Sequence, residues 1–236
     1  MAHAFVLLHS PVVGPSTWRP VAERLLRAGH DCVVPDLRHV AQAGPPYWPA
    51  VVSTAADAMG QLDAPGPVVL VAHSNAGLLL PAVAAGSPRP VSGAVLVDAA
   101  TPADPGPSPA APVPLLELLR TLADPSGRLP VWTSWWPDEE VAGLLPDPRA
   151  RATVVADQPR LPLDYYEQRF PVPDSWRTLP TAYLRLSEAY DEDEARARAE
   201  GRPVARLTGG HLHAVVDPDA VAAAVVDLAT RLTGRG

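Results

Sequence analysis

Short apolar runs and longer helical stretches alternate along the first hundred residues. Residues 4–8 (AFVLL), 68–72 (VVLVA) and 94–97 (AVLV) are apolar at every position, and 31–35 (DCVVP) is a fourth short run. Residues 18–28, 48–62 and 75–85 lie between them with apolar side chains at helical spacing, and the first and last of these stop at Gly29 and Gly86. Runs this short, apolar on both faces, predict strands covered by helices on either side. That is the pattern of a mostly parallel sheet of about six strands in an α/β fold.

The texture then changes. Sixteen of the 30 prolines fall between Pro102 and Pro180, so only short helices are expected there, at 115–122 and 139–145. Order resumes with predicted strands at 181–186 and 204–207 and helices at 191–200 and 218–232. One domain is therefore expected, a core of residues 1–100 and 180–236 with 101–179 inserted as a Pro-rich helical lid.

Composition removes several functions. The net charge is −7, which offers no field for nucleic acid or an anionic membrane. All 19 basic residues are arginine, and with 30 prolines this reads as a GC-rich bacterial coding bias. Cys32 is the only cysteine, so neither an internal disulfide nor a Cys-based zinc site is available, as in a reducing cytoplasm. The N-terminal run lacks the basic flank of a signal peptide, and no run is long enough to span a bilayer. The expected partner is a small molecule, in the cytoplasm; a homodimer is compatible with the chain.

Two segments carry chemistry. In Val68-Val69-Leu70-Val71-Ala72-His73-Ser74-Asn75-Ala76-Gly77 a buried strand runs straight into a serine and then into a small-residue helix start. In Gly209-Gly210-His211-Leu212-His213 a histidine follows a glycine pair, with Pro218 seven residues further on before the last helix. His211 and His213 also form a His-x-His pair, but no cluster supplies further zinc ligands.

The first segment resembles the nucleophile elbow G-x-S-x-G of the α/β-hydrolase superfamily, with alanines at the outer glycines. The second resembles its catalytic-histidine loop. His9-Ser10-Pro11, followed by Trp18, resembles the His-Gly-x loop after the first strand. Starting so near that strand, the chain is similar to the compact branch that holds plant methyl-ester esterases and hydroxynitrile lyases. The resemblance implies Ser74 as nucleophile, His211 as general base, the Asn75 N–H as an oxyanion donor, and no cofactor or metal. It leaves two acids open. Glu188 follows the strand before the last, one position ahead of Ala189, where relatives often place an Asp, and Asp98 follows the strand at 94–97, where some members place the acid.

Two departures matter. Pro11 stands where relatives offer a second oxyanion N–H, and proline has none. Val12 N–H or the Ser10 hydroxyl is left to replace it. The chain also has no lysine, which plant-type hydroxynitrile lyases use. Trp135 and Trp136 are the expected walls of an apolar pocket. The reading is a serine hydrolase of an ester, lactone or thioester on a small, largely apolar molecule, for which a bacterial secondary metabolite is a guess. The alternatives are a non-hydrolytic enzyme (cyclase, acyltransferase or lyase) and a small-molecule-binding protein that has lost catalysis.

Overall fold

The computed structural model describes residues 2–103 and 106–234. The chain opens with β1 (Ala4–Leu8), α1 (Arg19–Arg27), β2 (Asp31–Val33), α2 (Trp48–Met59) and β3 (Val68–Ser74). A 3-10 turn (Asn75–Leu79) leads into α3 (Leu80–Ala85) and β4 (Val91–Ala99). An insertion follows: β5 (Ser108–Pro109), α4 (Val113–Leu122), α5 (Asp138–Leu144), α6 (Pro148–Ala156), α7 (Asp164–Glu167) and β6 (Arg169–Phe170). The chain returns as β7 (Thr181–Arg185), α8 (Asp191–Ala199), β8 (Val204–Arg206), α9 (His213–Val216) and α10 (Pro218–Thr233).

Six strands form one sheet in the order β2-β1-β3-β4-β7-β8, parallel at every pairing. Side chains alternate across it. Val6, Leu70, Ala72 and Leu96 enter a core closed by α2, α3 and the insertion, through residues such as Val51, Met59, Val83 and Tyr165. Leu7, Val69, Val71 and Val97 enter the opposite core, closed by α1 and α10 through Val21, Leu25, Val225 and Leu228. Because both faces are covered, the middles of the central strands are apolar, and polar side chains such as Ser92, His73, Ser74 and Asp98 stand toward their ends. No helix among the described residues is long and apolar enough to cross a membrane.

Some boundaries differ from the sequence expectation. β4 is longer than the apolar run, taking in Ser92, Gly93 and Asp98. The helix expected at 75–85 is split, because Pro81 cannot donate to a carbonyl in the preceding turn; it sits instead in the first turn of α3. In the insertion no helix exceeds the 10 residues of α4. Several of its prolines stand at helix starts, as Pro148 does in α6, where the Asp147 side chain accepts from the Arg149 and Ala150 N–H groups.

The strand order places function. From β1 the chain moves outward to β2, and from β3 it moves the other way, so the C-terminal ends of β1 and β3 flank the point where the order reverses. Open parallel sheets bind ligands in that crevice. Ser74 ends β3, and the loop after β1 begins at His9.

The turn after β3 is packed hard against β4. A side chain at Gly77 would drive into the carbonyl oxygen of Ala100 and touch Ala99 Cβ, whereas Gly143 on the exposed side of α5 has open space around it. Gly77→Ala is therefore expected to cost about 1–3 kcal/mol of overpacking. Gly143→Ala should gain about 0.5–1 kcal/mol through helix entropy. Urea unfolding midpoints of the two variants check this; equal midpoints would contradict the packing described.

Candidate active site

Ser74 is held in an unusual backbone conformation, φ 60° and ψ −132°. Such a residue costs on the order of 1–3 kcal/mol and persists only when its surroundings over-determine it. Here its carbonyl accepts from the Ala100 N–H at 3.2 Å, and the residues that follow are small and buried. On the adjacent strand Asp98 is the other non-glycine residue with positive φ among the described residues, 44°. The Tyr183 hydroxyl clamps the next residue, donating to Ala99 O at 2.7 Å and lying 3.1 Å from the Ala99 N–H. Both strained residues thus project their side chains from the same end of adjacent strands.

His211 joins them. Its Nε2 is 3.0 Å from Ser74 Oγ and its Nδ1 is 2.7 Å from Asp98 Oδ2. Asp98 is fully buried, yet its carboxylate is well supplied with donors. Oδ1 accepts from the Leu186 and Ser187 N–H groups, each at 2.8 Å, and Oδ2 also accepts from Ser187 Oγ at 2.6 Å. Burial alone would push its pKa up; the bonds from His211 and Ser187 outweigh that and hold it below the usual carboxylate range. An ionised Asp98 requires the proton on His211 Nδ1, which leaves Nε2 free to accept the Ser74 proton.

Of the two acids left open, the structure brings Asp98 to His211 and leaves Glu188 outside. Glu188 is exposed at the head of a 3-10 turn (Glu188–Tyr190). The loop after β7 contributes backbone donors to Asp98 instead of an acid of its own. Trp135 and Trp136 also differ from expectation. Trp135 donates its indole N–H to Pro130 O and packs edge-on against Tyr166, so it braces the insertion. Trp136 is largely exposed and meets Trp132 edge-on. The tryptophan ring beside His211 is that of Trp132, with centroids 6.1 Å apart.

Three further residues escaped the sequence reading. Tyr190 stacks on His211 at 13° and 5.2 Å, with its hydroxyl 3.4 Å from Ser74 Oγ. Ser187 holds Asp98. His73, whose side chain points to the opposite face of β3 from Ser74, donates from Nε2 to the His211 carbonyl at 2.8 Å. Its place beside the serine was a visible signal. Tyr190 and Ser187 had none, because they lie among ordinary polar residues.

The loop after β1 is rigid. His9 Nδ1–H donates to Ser10 O at 2.8 Å and Nε2 accepts from the Leu37 N–H at 3.0 Å. Ser10 O also accepts from the Val13 N–H at 3.0 Å, closing a turn with Pro11 in its second position. That turn leaves the Val12 N–H with no acceptor among the described residues, although Val12 is buried. The Ser10 hydroxyl is likewise buried and unpartnered. The Asn75 side chain is tied to the insertion through Ala110 O and the Tyr165 hydroxyl, while its N–H opens the 3-10 turn and has no helical acceptor. No three His, Cys, Asp or Glu among the described residues stand close enough together to hold a metal.

A family model described as alpha/beta hydrolase family matches residues 5–224. No curated protein matches the chain significantly. Among solved structures, an extracellular α/β-hydrolase from a Paenibacillus species superposes with TM-score 0.74 at 20% identity, over 96% of this chain and 98% of its own. That protein is described as sharing structural and functional homology with tobacco salicylic acid binding protein 2. Tomato methylketone synthase I with β-ketoheptanoate superposes with TM-score 0.72 at 14% identity, over 98% of this chain and 99% of its own. Polyneuridine aldehyde esterase does so with TM-score 0.70 at 16% identity, over 97% and 99%. At these identities the likeness is one of fold.

Two outcomes follow from the geometry. Asp98→Asn should slow any Ser74-dependent turnover by about three to four orders of magnitude, as in triads whose acid is amidated. Glu188→Gln should leave the rate unchanged; steady-state kinetics on both variants decide, and the reverse order would contradict the assignment. The second outcome concerns acid. Burial drives His9 down to about 4 and His73 down to about 3, the latter helped by neighbouring His211 and opposed by Asp98. Unfolded histidine titrates near about 6.5, so below that pH the unfolded chain binds protons the folded chain does not. Stability should be full above about pH 6.5 and fall as pH drops toward 4. Urea midpoints measured across that window check it, and His9→Gln should reduce the fall; a flat profile would contradict neutral burial.

Proposed function

The chain belongs to the alpha/beta hydrolase family, and from that premise we propose that it is a serine hydrolase acting on an ester, lactone or thioester of a small, largely apolar molecule. The observation that carries this reading is the continuous hydrogen-bonded line from Ser74 Oγ through His211 to a buried, charged Asp98. A binding protein freed from catalysis would have no need to keep two strained residues and a buried carboxylate in register.

The steps follow from that line. Ser74 Oγ attacks the acyl carbon as its proton passes to His211 Nε2, and the carbonyl π pair moves onto oxygen. The bond to the leaving oxygen then breaks, and that oxygen takes the proton from Nε2. Water repeats the sequence on the acyl-Ser74 ester, with His211 again as base. Asp98 stabilises the imidazolium formed in each half. The oxyanion is bound by the Asn75 and Val12 N–H groups. Val12 takes over because the turn through Pro11 leaves its N–H unspent.

The apolar substrate is supported by Trp132 beside His211 and by the aromatic packing of the insertion, which we read as the lid. The names of the similar structures, an esterase, a pyrethroid hydrolase and a methylketone synthase, run in the same direction. Cys32, the single cysteine of the chain, can form no internal disulfide, which fits a cytoplasmic location. A second reading, chemistry on a carbonyl without hydrolysis, is favoured by one observation: Pro11 removes a donor that hydrolysis uses strongly.

A fluorophosphonate probe is expected to label Ser74, with no labelling in Ser74→Ala and much slower labelling in His211→Ala. Peptide mass spectrometry locates the adduct. Pro11→Gly and Ser10→Ala should each keep ester turnover within about threefold, because neither removes an oxyanion donor; losing one costs about a hundred- to a thousandfold. Absence of labelling on the folded protein would end the covalent reading. A collapse in Ser10→Ala would move the donor from Val12 to the Ser10 hydroxyl.

A further inference from the structure

Two side chains among the described residues bring a polar atom to Ser74 Oγ. One is His211. The other is Tyr190, whose hydroxyl lies 3.4 Å away and has no other hydrogen-bond partner among them. That contact is long for a hydroxyl pair, as contacts in an unliganded site often are before substrate tightens them. The ring is fixed from two sides. It lies flat against the imidazole at 13° and 5.2 Å. Its own N–H donates at 3.3 Å to the carbonyl of Ser187, the residue whose side chain and N–H hold Asp98. One loop therefore positions both the acid and the phenol.

Burial pushes the phenol up to about 12; the bond to Ser74 opposes this, and the charges of Asp98 and Asp193 add to it. The hydroxyl stays protonated at neutral pH, so it is a donor there and cannot serve as a base. The direction of its approach says to which atom. The Asn75 and Val12 N–H groups belong to the ends of β3 and β1, whereas Tyr190 enters from the β7 side, layered on His211. His211 Nε2 must deliver its proton to the leaving oxygen, so that oxygen has to sit at the imidazole edge, beside the phenol.

Building on the serine-hydrolase reading, we propose that Tyr190 is a catalytic residue that donates a hydrogen bond to the leaving-group oxygen, suiting the site to esters of alcohols that leave poorly. In the resting site the phenol donates to Ser74 Oγ, which keeps the serine proton directed at His211. When Oγ bonds to the acyl carbon, the donor transfers to the oxygen that is about to leave. As the carbon–oxygen bond breaks, its electron pair moves onto that oxygen, which accepts the proton held on His211 Nε2. Tyr190 keeps its own proton throughout and stabilises the charge that builds before proton transfer completes. A p-nitrophenolate needs little such help; an alkoxide needs much.

The test is Tyr190→Phe, which keeps the stacked ring and removes the hydroxyl. The readout is kcat/KM over a series of butyrate esters, from p-nitrophenyl through phenyl to ethyl. A hydrogen bond to a group gaining charge is worth enough that the ethyl ester should slow about 10- to 100-fold, with the p-nitrophenyl ester within about threefold. The dependence of rate on leaving-group pKa thus steepens in the variant. A uniform fall across the series, or no change at all, would overturn the proposal and leave Tyr190 a packing residue. Fluorophosphonate labelling separates the two levels of the account. If native Ser74 is not labelled, the hydrolase reading fails. If it is labelled while the native protein turns over aryl esters and no alkyl ester, the hydrolase reading stands and the role of Tyr190 is refuted.

Discussion

The site depends on one buried carboxylate. Asp98 is removed from water at the end of a central strand, and an isolated charge there would be far too costly to keep. It remains charged because four donors from two loops converge on it: two backbone N–H groups and a hydroxyl from the loop after β7, and the imidazole of His211. Remove that charge and His211 loses its reason to carry a proton on Nδ1, and with it a free Nε2 facing Ser74. Ser74, His211 and the loop that carries Tyr190 are all arranged around satisfying this one group.

The fold meets the cost of that arrangement with rigidity. Ser74 and Asp98 both occupy backbone conformations that non-glycine residues avoid, and they lie on adjacent parallel strands with a register shift between His73 and Ser74. Gly77 lets the following turn close onto Ala100, and Tyr183 grips both sides of Ala99. Two neutral histidines finish the scaffold: His9 ties the β1 loop to Leu37, and His73 ties β3 to the backbone of His211. His9 must be uncharged to accept from Leu37, and burial keeps His73 uncharged.

The sheet was legible because its central strands carry continuous apolar runs, at 4–8, 68–72 and 94–97, as a doubly covered sheet favours. Ser74 and His211 were legible because tight backbone geometry demands small residues around one and glycines before the other. The acid was not, since Asp98 and Glu188 sit equally well at strand ends in one dimension. What separates them is where the loop after β7 aims its N–H groups. α6 lies in the proline-dense insertion, where proline argues against long helices, yet Asp147-Pro148 is a capped helix start. Tyr190 was invisible because nothing in a Glu-Ala-Tyr-Asp stretch says that one ring folds back over a histidine. Trp135 and Trp136 are adjacent in sequence, but the tryptophan that stands beside His211 is Trp132, at the head of the 3-10 turn Trp132–Trp135, a placement that spacing alone does not show.

The central claim is that Asp98, and no other acid, holds the proton of His211 on Nδ1. Proton NMR of the folded protein in water reads that bond directly, because an imidazole N–H shared with a buried carboxylate resonates far downfield of the amide region. The account predicts one such signal, absent in His211→Ala and in Asp98→Asn and retained in Glu188→Gln. A signal that survives Asp98→Asn, or one that vanishes in Glu188→Gln, would contradict it.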